Sequence, residues 1–221
     1  MRINQYVAHA SGCSRRRADS LISEQRVRLN GAVAAIGAEV GANDRVTLDG
    51  QALALPTYQT IALHKPVGYV TSRRQQGSTP TIYELLPAEF HALKPVGRLD
   101  KDSSGLLLLT NDGELAQRLQ HPTSGKWKRY KVELDRSLGA DDRTKLTAGV
   151  TLKDGPSRLQ LEGRGKQWTV KLQEGRNRQI RRSFAALGYR VVGLHRTDFG
   201  SLGLGKLPAS QWRSLTPEEL G

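Results

Sequence analysis

The residue types best suited to chemistry fall in two short runs of opposite character. The first is Pro95-Val96-Gly97-Arg98-Leu99-Asp100-Lys101-Asp102-Ser103-Ser104-Gly105, which sets an aspartate between an arginine and a lysine in a polar loop bracketed by glycines. Leu106 to Leu109 follow at once. Four consecutive leucines read as a strand buried on both faces, and a loop mounted on such a strand holds side chains in fixed positions, as a catalytic carboxylate requires. The plainer reading is an ordinary turn with Arg–Asp pairs. The second run is Glu174-Gly175-Arg176-Asn177-Arg178-Gln179-Ile180-Arg181-Arg182. Ile180, Phe184 and Leu187 recur at i, i+4 and i+7 and Gly188 suits a helix end, so the spacing predicts a helix over 177–187. Arg176 then sits in the entering turn, with Arg178, Arg181 and Arg182 on or beside another face. Guanidinium groups at such an entry clamp phosphate or fix a carboxylate through paired hydrogen bonds. The alternative is a solvated helix face, against which stand four arginines in seven residues with one nearby acid.

A third segment, Lys126-Trp127-Lys128-Arg129-Tyr130-Lys131-Val132, interleaves aromatics with cations. Tyr130, Val132 and Leu134 alternate as on a strand, so Tyr130 is either core or a platform on which a base stacks, worth roughly 1–3 kcal/mol per base. Other chemistries find little support. His9, His64, His91, His121 and His195 show no paired ligand spacing, and Cys13 is the only cysteine, so neither a metal site nor a disulfide framework is expected. Gly200-Ser201-Leu202-Gly203-Leu204-Gly205 matches neither a P-loop nor a dinucleotide fingerprint. No Ser/His/Asp triad is assignable.

The charge map narrows the partner. The chain has 221 residues, 34 Lys+Arg against 21 Asp+Glu, and a formal net charge of +13. Residues 126–182 alone hold 16 basic and 7 acidic groups, a local surplus of 16 − 7 = +9. Solubility needs far less, and the usual reason for such a concentration is a polyanion whose counterions are released on binding. Anionic lipid is the competitor, but no basic amphipathic helix with a bulky apolar face is evident. No apolar run approaches the roughly 18 residues of a membrane span and the N-terminus lacks a secretory signal, so no membrane partner and a cytoplasmic setting are expected.

These segments need a scaffold, and the chain reads as two units. Residues 1–55 begin with a helix marked by Ile3, Tyr6, Val7 and Ala10; Gly12 ends it, and Ser14 caps a second helix that turns Ala18, Leu21 and Ile22 inward. That second helix opens on Arg15, Arg16 and Arg17. Cations there oppose the helix dipole, by roughly 0.3–1 kcal/mol each when exposed, so something outside the fold must reward them. Short strands follow at Val27-Arg28-Leu29 and Arg45-Val46-Thr47-Leu48. Residues 56–60 read as a linker. Residues 61–221 mix strands (Ile61-Ala62-Leu63, Leu106 to Leu109, Tyr130 to Leu134, Trp168 to Leu172) with helices (Glu114 to Gln120, Asn177 to Leu187), lacking the rhythm of a parallel sheet. The fold class expected is α+β: a small N-terminal module, then a domain with a mixed, largely antiparallel sheet.

Taken in order, these motifs resemble those of RNA pseudouridine synthases of the RsuA/RluB/RluE/RluF family. Gly97-Arg98-Leu99-Asp100, with Ser103, Gly105, the leucines and Thr110-Asn111-Asp112-Gly113, is similar to the catalytic motif. Lys65-Pro66-Val67-Gly68-Tyr69-Val70-Thr71-Ser72 resembles the first motif, Lys128-Arg129-Tyr130-Lys131-Val132 the tyrosine motif, and Glu174 to Arg182 the C-terminal arginine motif. Residues 2–55 look like the RNA-binding domain named after small-subunit ribosomal protein four. Ser103 stands where threonine is common, and Ser183 where methionine often follows the arginine pair.

The resemblance implies isomerisation of uridine to its C-glycoside in ribosomal RNA, with neither cofactor nor metal. Asp100 would be the essential carboxylate initiating cleavage between base N1 and ribose C1′. Tyr130 would stack on the base and take the C5 proton. Arg176 would pair with Asp100 and orient it, a nearby cation favouring the charged form of a carboxylate. An apolar residue near Val191 or Val192 would pack on the base. RNA contacts are expected from Arg15, Arg16, Arg17, Lys65, Arg98, Lys128, Arg129, Asn177, Arg178, Gln179, Arg181 and Arg182. The expected partner is ribosomal RNA, free or within a subunit or assembly intermediate, bound by a monomer. Arg98 to Ser103 and Asn177 to Arg182 lean toward an RluF-like, large-subunit target, whereas Leu194-His195-Arg196 resembles the small-subunit branch. Two other readings compete: a non-catalytic RNA-binding assembly factor, and a metal-dependent nuclease using Asp100, Asp102 and Asp112, which the cations Arg98 and Lys101 disfavour.

Overall fold

The computed structural model describes residues 1–121 and 125–220. The chain divides into two compact units, Met1–Tyr58 and Gln59–Gly221. In the first, α1 (Ile3–Ser11) ends at Gly12, whose φ of +72° is the left-handed stop that glycine supplies readily. The Ser14 side chain accepts the Arg17 amide at 3.2 Å and so caps α2 (Arg15–Ser23). Four short strands, β1 (Val27–Leu29), β2 (Ala32–Val33), β3 (Val46–Leu48) and β4 (Gln51–Ala52), form an antiparallel sheet in the order β2-β1-β3-β4. Ile3, Val7, Ala18, Leu21, Ile22, Val27 and Val46 make its small core.

The second unit is built on a nine-stranded sheet. Its chain order is β5 (Thr60–Lys65), two 3-10 turns (Ile82–Leu85 and Ala88–Ala92), β6 (Lys94–Val96), β7 (Ser104–Thr110), α3 (Gly113–Gln120) and β8 (Lys128–Leu134). Then come α4 (Ala140–Ala148), a hairpin of β9 (Val150–Leu152) and β10 (Gly155–Ser157), β11 (Gln160–Arg164), β12 (Gln167–Leu172) and α5 (Gln179–Ala185). The last elements are β13 (Val191–Phe199), β14 (Leu202–Gly203), β15 (Trp212–Ser214) and α6 (Pro217–Leu220). Across the sheet the order is β11-β12-β8-β13-β7-β5-β15, with β14 beside β13 and β6 beside β7. Every pairing is antiparallel except β13 with β7. Strand β5 begins at Thr60, so the first strand claims the end of the expected linker.

The leucine run behaves as its composition demands. Leu107 and Leu109 enter the core shared with β8, β12 and α5, while Leu106 and Leu108 enter a second core under α3 with Phe199 and Leu202. All four are fully buried. Strand alternation thus divides one short run between two cores, and the loop before it sits on a support packed from both sides. At the single parallel seam, a Cβ on Gly105 would lie 2.1 Å from the Arg196 carbonyl oxygen, so only glycine lets β13 approach β7 there. Among the described residues, no helix is long and apolar enough to cross a membrane.

Candidate active site

A cavity of about 540 Å3 opens where the 97–103 loop, the start of β8 and the turn entering α5 converge. Asp100, Tyr130, Arg176 and Arg178 all line it. The loop is tethered from beneath by the 65–71 segment. Lys65, at the end of β5, is wholly buried, and its Nζ donates to the carbonyls of Pro66 (3.0 Å), Asp100 (3.0 Å) and Ser103 (2.7 Å). Burial pulls the Lys65 ammonium down to about 8, against the opposing pull of Asp100 and Asp102. Thr71 Oγ1 donates to the Leu99 carbonyl at 2.8 Å, and the Gly68 amide donates to the Lys101 carbonyl at 2.7 Å. With its backbone held at four places, the loop presents the Asp100 carboxylate from a fixed position. Lys65, expected to contact RNA, is instead an internal brace with no surface to offer a phosphate.

The opposite wall corrects a second expectation. Arg176 does not pair with Asp100. Its guanidinium donates to the carbonyls of Asp154 (2.9 Å), Gly155 (3.1 Å) and Pro156 (2.7 Å) and to the carboxylates of Asp154 and Glu174 (3.2 Å each), fastening the β9–β10 hairpin to the turn before α5. The cation beside Asp100 is Arg178, with Nη1 3.6 Å from Asp100 Oδ2. Arg178 also binds Asp102 in a two-pronged pair at 2.9 and 2.8 Å, which holds the Asp102 carboxyl below the usual range and the guanidinium above its own. A left-handed backbone at Arg178 (φ +48°, ψ 31°) turns its side chain toward the loop. The Asp100 carboxylate accepts no hydrogen bond from another described residue, so its oxygens stay available to a ligand.

The remaining arginines of the run are structural. Arg181 donates to the carbonyls of Val191 and Asp102 at 2.7 Å each, and burial lowers its affinity for the proton. Arg182 binds Asp154 at 2.8 and 2.7 Å. Gln179 touches the cavity but is 3% exposed, its amide donating to Ser157 and to Glu174. Neither Arg181 nor Arg182 lines the cavity, and with Gln179 they brace the wall, contrary to the expected RNA contacts. Arg98 and Asn177 are exposed on the rim. Arg129 lies outside the cavity, exposed and 3.6 Å from Asp198.

The floor is apolar and cationic at once. Tyr130, Leu172, Ile180 and Leu194 supply apolar surface. Val191 faces the core and Val192 is 49% exposed, so neither residue expected to pack on a base reaches the cavity, whereas Leu194 lines it. A register shift between Val191 and Gly193 resets the alternation of β13 and turns Leu194 inward. Sequence reasoning gave no role to Arg196, which is 2% exposed, donates from Nε to the Leu106 carbonyl at 2.7 Å and lies over Phe199. Lys128 shares that ring from 5.6 Å and donates to the Gln173 carbonyl at 2.8 Å; burial and then Arg196 depress its basicity. Asp112 is spent capping α3, which removes it from any acidic cluster with Asp100 and Asp102, and no three His, Cys, Asp or Glu converge among the described residues.

Comparison with known proteins gives this arrangement a lineage. Residues 59–186 match the RNA pseudouridylate synthase family, and residues 1–46 match the S4 domain. The chain is 34% identical over 228 residues to a protein of Bacillus subtilis named ribosomal large subunit pseudouridine synthase B, covering 99% of this chain and 93% of that one. It is also 34% identical over 225 residues to the dual-specificity RNA pseudouridine synthase RluF of Escherichia coli, covering all of this chain and 77% of the relative. A solved structure described as a pseudouridylate synthase superposes with a TM-score of 0.71 at 30% identity, covering 100% of this chain and 98% of that one. Carboxylate, guanidinium and buried tyrosine around one cavity, together with these matches, make the conclusion plain: the chain belongs to the RNA pseudouridine synthases of the RluB/RluF kind, with an N-terminal S4 domain.

Proposed function

We propose that this enzyme isomerises a specific uridine of ribosomal RNA, of the large subunit in the first instance, and that Asp100, Tyr130 and Arg178 carry the reaction. The observation behind the residue roles is the half-buried Asp100 carboxylate, free of hydrogen bonds from the other described residues, steadied by Arg178 and facing a cavity floored by Tyr130. Large-subunit RNA is favoured by relatives from Bacillus subtilis and Yersinia pestis that are named for it. The target nucleotide leaves its stack, at a cost of a few kcal/mol, and its uracil enters between Tyr130 and Leu194. Asp100 initiates cleavage of the N1–C1′ bond. The uracil turns, C5 bonds to C1′, Tyr130 takes the proton from C5, and N1 gains one, so the reaction needs nothing beyond the nucleotide. Arg178 replaces Arg176 in the orienting role. Lys128, Arg98 and Asn177 line the approach of the strand, and Arg15, Arg16 and Arg17 grip a neighbouring RNA helix.

The test is direct. Asp100→Asn should lower product formation by at least about a thousandfold while leaving RNA affinity nearly intact. A fully active Asn variant overturns the assignment. Mapping C-glycoside uridines in both ribosomal RNAs and in transfer RNA, with and without the gene, identifies the target; loss confined to the small subunit overturns the large-subunit reading.

A further inference from the structure

A second cleft, of about 490 Å3, adjoins the catalytic cavity and shares Leu172 with it. Trp127, Arg158, Lys171, Gln160 and Gln173 line it. Trp127 is 41% exposed, whereas every other Phe, Tyr and Trp among the described residues of this unit is buried or half-buried. An indole facing water on an otherwise well-buried domain points to something that covers it. Its backbone is not loose: the Trp127 carbonyl accepts the Gly200 amide at 2.7 Å, and Lys128 next to it holds the Gln173 carbonyl at 2.8 Å. The charge around it favours an anion. Arg158 is exposed, Lys171 meets Glu162 at 4.0 Å, and Glu174, the acid among the lining residues, spends its Oε1 on Arg176 and Gln179.

We infer that this cleft is a second nucleotide subsite, taking an unpaired nucleotide from the RNA strand that carries the target uridine. Its base stacks on Trp127, and its phosphate lies toward Arg158 and Lys171. Continuity supports the same strand. Lys128 pairs with Leu172 across β8 and β12, so Trp127 begins where the catalytic wall ends, and a strand leaving one cavity meets the other across Leu172. Stacking on an indole tolerates any base. Preference then falls to the amides: Gln173 commits its Nε2 to the Gly125 carbonyl at 3.1 Å and keeps its oxygen as an acceptor, while Gln160 offers both donor and acceptor. The inference rests on RNA as the substrate but fails separately from it.

The probe is a single-stranded nine-nucleotide oligouridylate at low salt. The emission of Trp127, taken as wild type minus Trp127→Phe, should be quenched on saturation. Trp127→Ala should weaken binding about tenfold, Trp127→Phe should recover most of it, and Lys171→Gln should flatten the salt dependence by about one phosphate. Circular dichroism checks each variant's fold, and the quenching arm does not depend on the Ala variant. Unquenched Trp127 emission with the oligonucleotide bound, an Ala variant that binds as wild type, or no binding at millimolar probe each overturn the subsite. Isomerisation of ribosomal RNA measured in parallel separates the two ideas: an active enzyme with a silent Trp127 sinks only the subsite, and a quenched Trp127 without any pseudouridine sinks only the proposed reaction.

Discussion

Two arginine clusters that look alike along the chain behave differently in the fold. Arg15, Arg16 and Arg17 open α2 on its exposed side, where among the described residues only Arg17 finds an acid, Glu24 at 2.9 Å, itself in solvent. Arg176, Arg178, Arg181 and Arg182 are instead committed one by one to Asp154, Glu174, Asp102 and backbone carbonyls. The first cluster works outward and the second inward. The surplus over 126–182 therefore overstates what a polyanion meets, because Asp102, outside that span, also pairs with these arginines, and Arg176 and Arg181 spend much of their guanidinium on backbone carbonyls. In α2 the cations oppose the helix dipole with little internal return, which is why the proposed function gives them to RNA.

The sharpest way to break this comparison is to exchange the inward arginines singly. Arg178→Lys keeps the charge but loses the fork that spans Asp102 and Asp100, and turnover should drop by about a hundredfold with the urea midpoint little moved. Arg176→Ala leaves the 154–156 carbonyls without their donor and should cost about 2–4 kcal/mol of stability by urea unfolding. The reverse pattern, stability lost at 178 and turnover alone at 176, would restore the discarded pairing.

An intermediate effect concerns the most buried cation. Lys65 sits near 8 in the folded protein against an ordinary value of 10.5. Between those values the unfolded chain binds the extra proton, so this group adds stability as pH climbs from about 8 to about 10.5; below 8 both states are protonated and burial opposes folding. The wild-type minus Lys65→Met difference in unfolding free energy should rise across that window by no more than about 3 kcal/mol. A flat difference would mean that burial does not lower the Lys65 titration in the fold. The smallest effect belongs to α2: Arg15, Arg16 and Arg17 changed to Ala should weaken RNA binding severalfold and lower the salt slope by about two, and an unchanged slope ends the contrast between the clusters.

How far the residues foretold these positions depended on the range of the interaction. The α1 stop at Gly12, the Ser14 cap and the leucine strand were all legible, because each is decided within a few neighbours. The choice between Arg176 and Arg178 was not. The two are separated by one residue in one motif, and a left-handed turn at Arg178 decides which reaches the loop. Leu194 was missed for a related reason. β13 is half polar and carries two register shifts, so its alternation does not survive as a pattern, and Val192, which reads as apolar interior, faces water. Lys65 misled through its type: a lysine in a basic chain suggests a phosphate, and only the carbonyls gathered about its Nζ reveal another use.

The seam where Gly105 meets Arg196 ties together parts of the second unit that are far apart along the chain. It joins two strands well separated in sequence, with the Arg196–Leu106 hydrogen bond spanning 90 residues of chain. During synthesis Asp100 and Tyr130 emerge well before β13 brings Leu194 and Arg196, while Arg178 comes only shortly before it, and so wide a closure is slow to form. A chain cut before β13 would keep Asp100, Tyr130 and Arg178 but lose Leu194, Arg196 and Phe199 from the cavity wall.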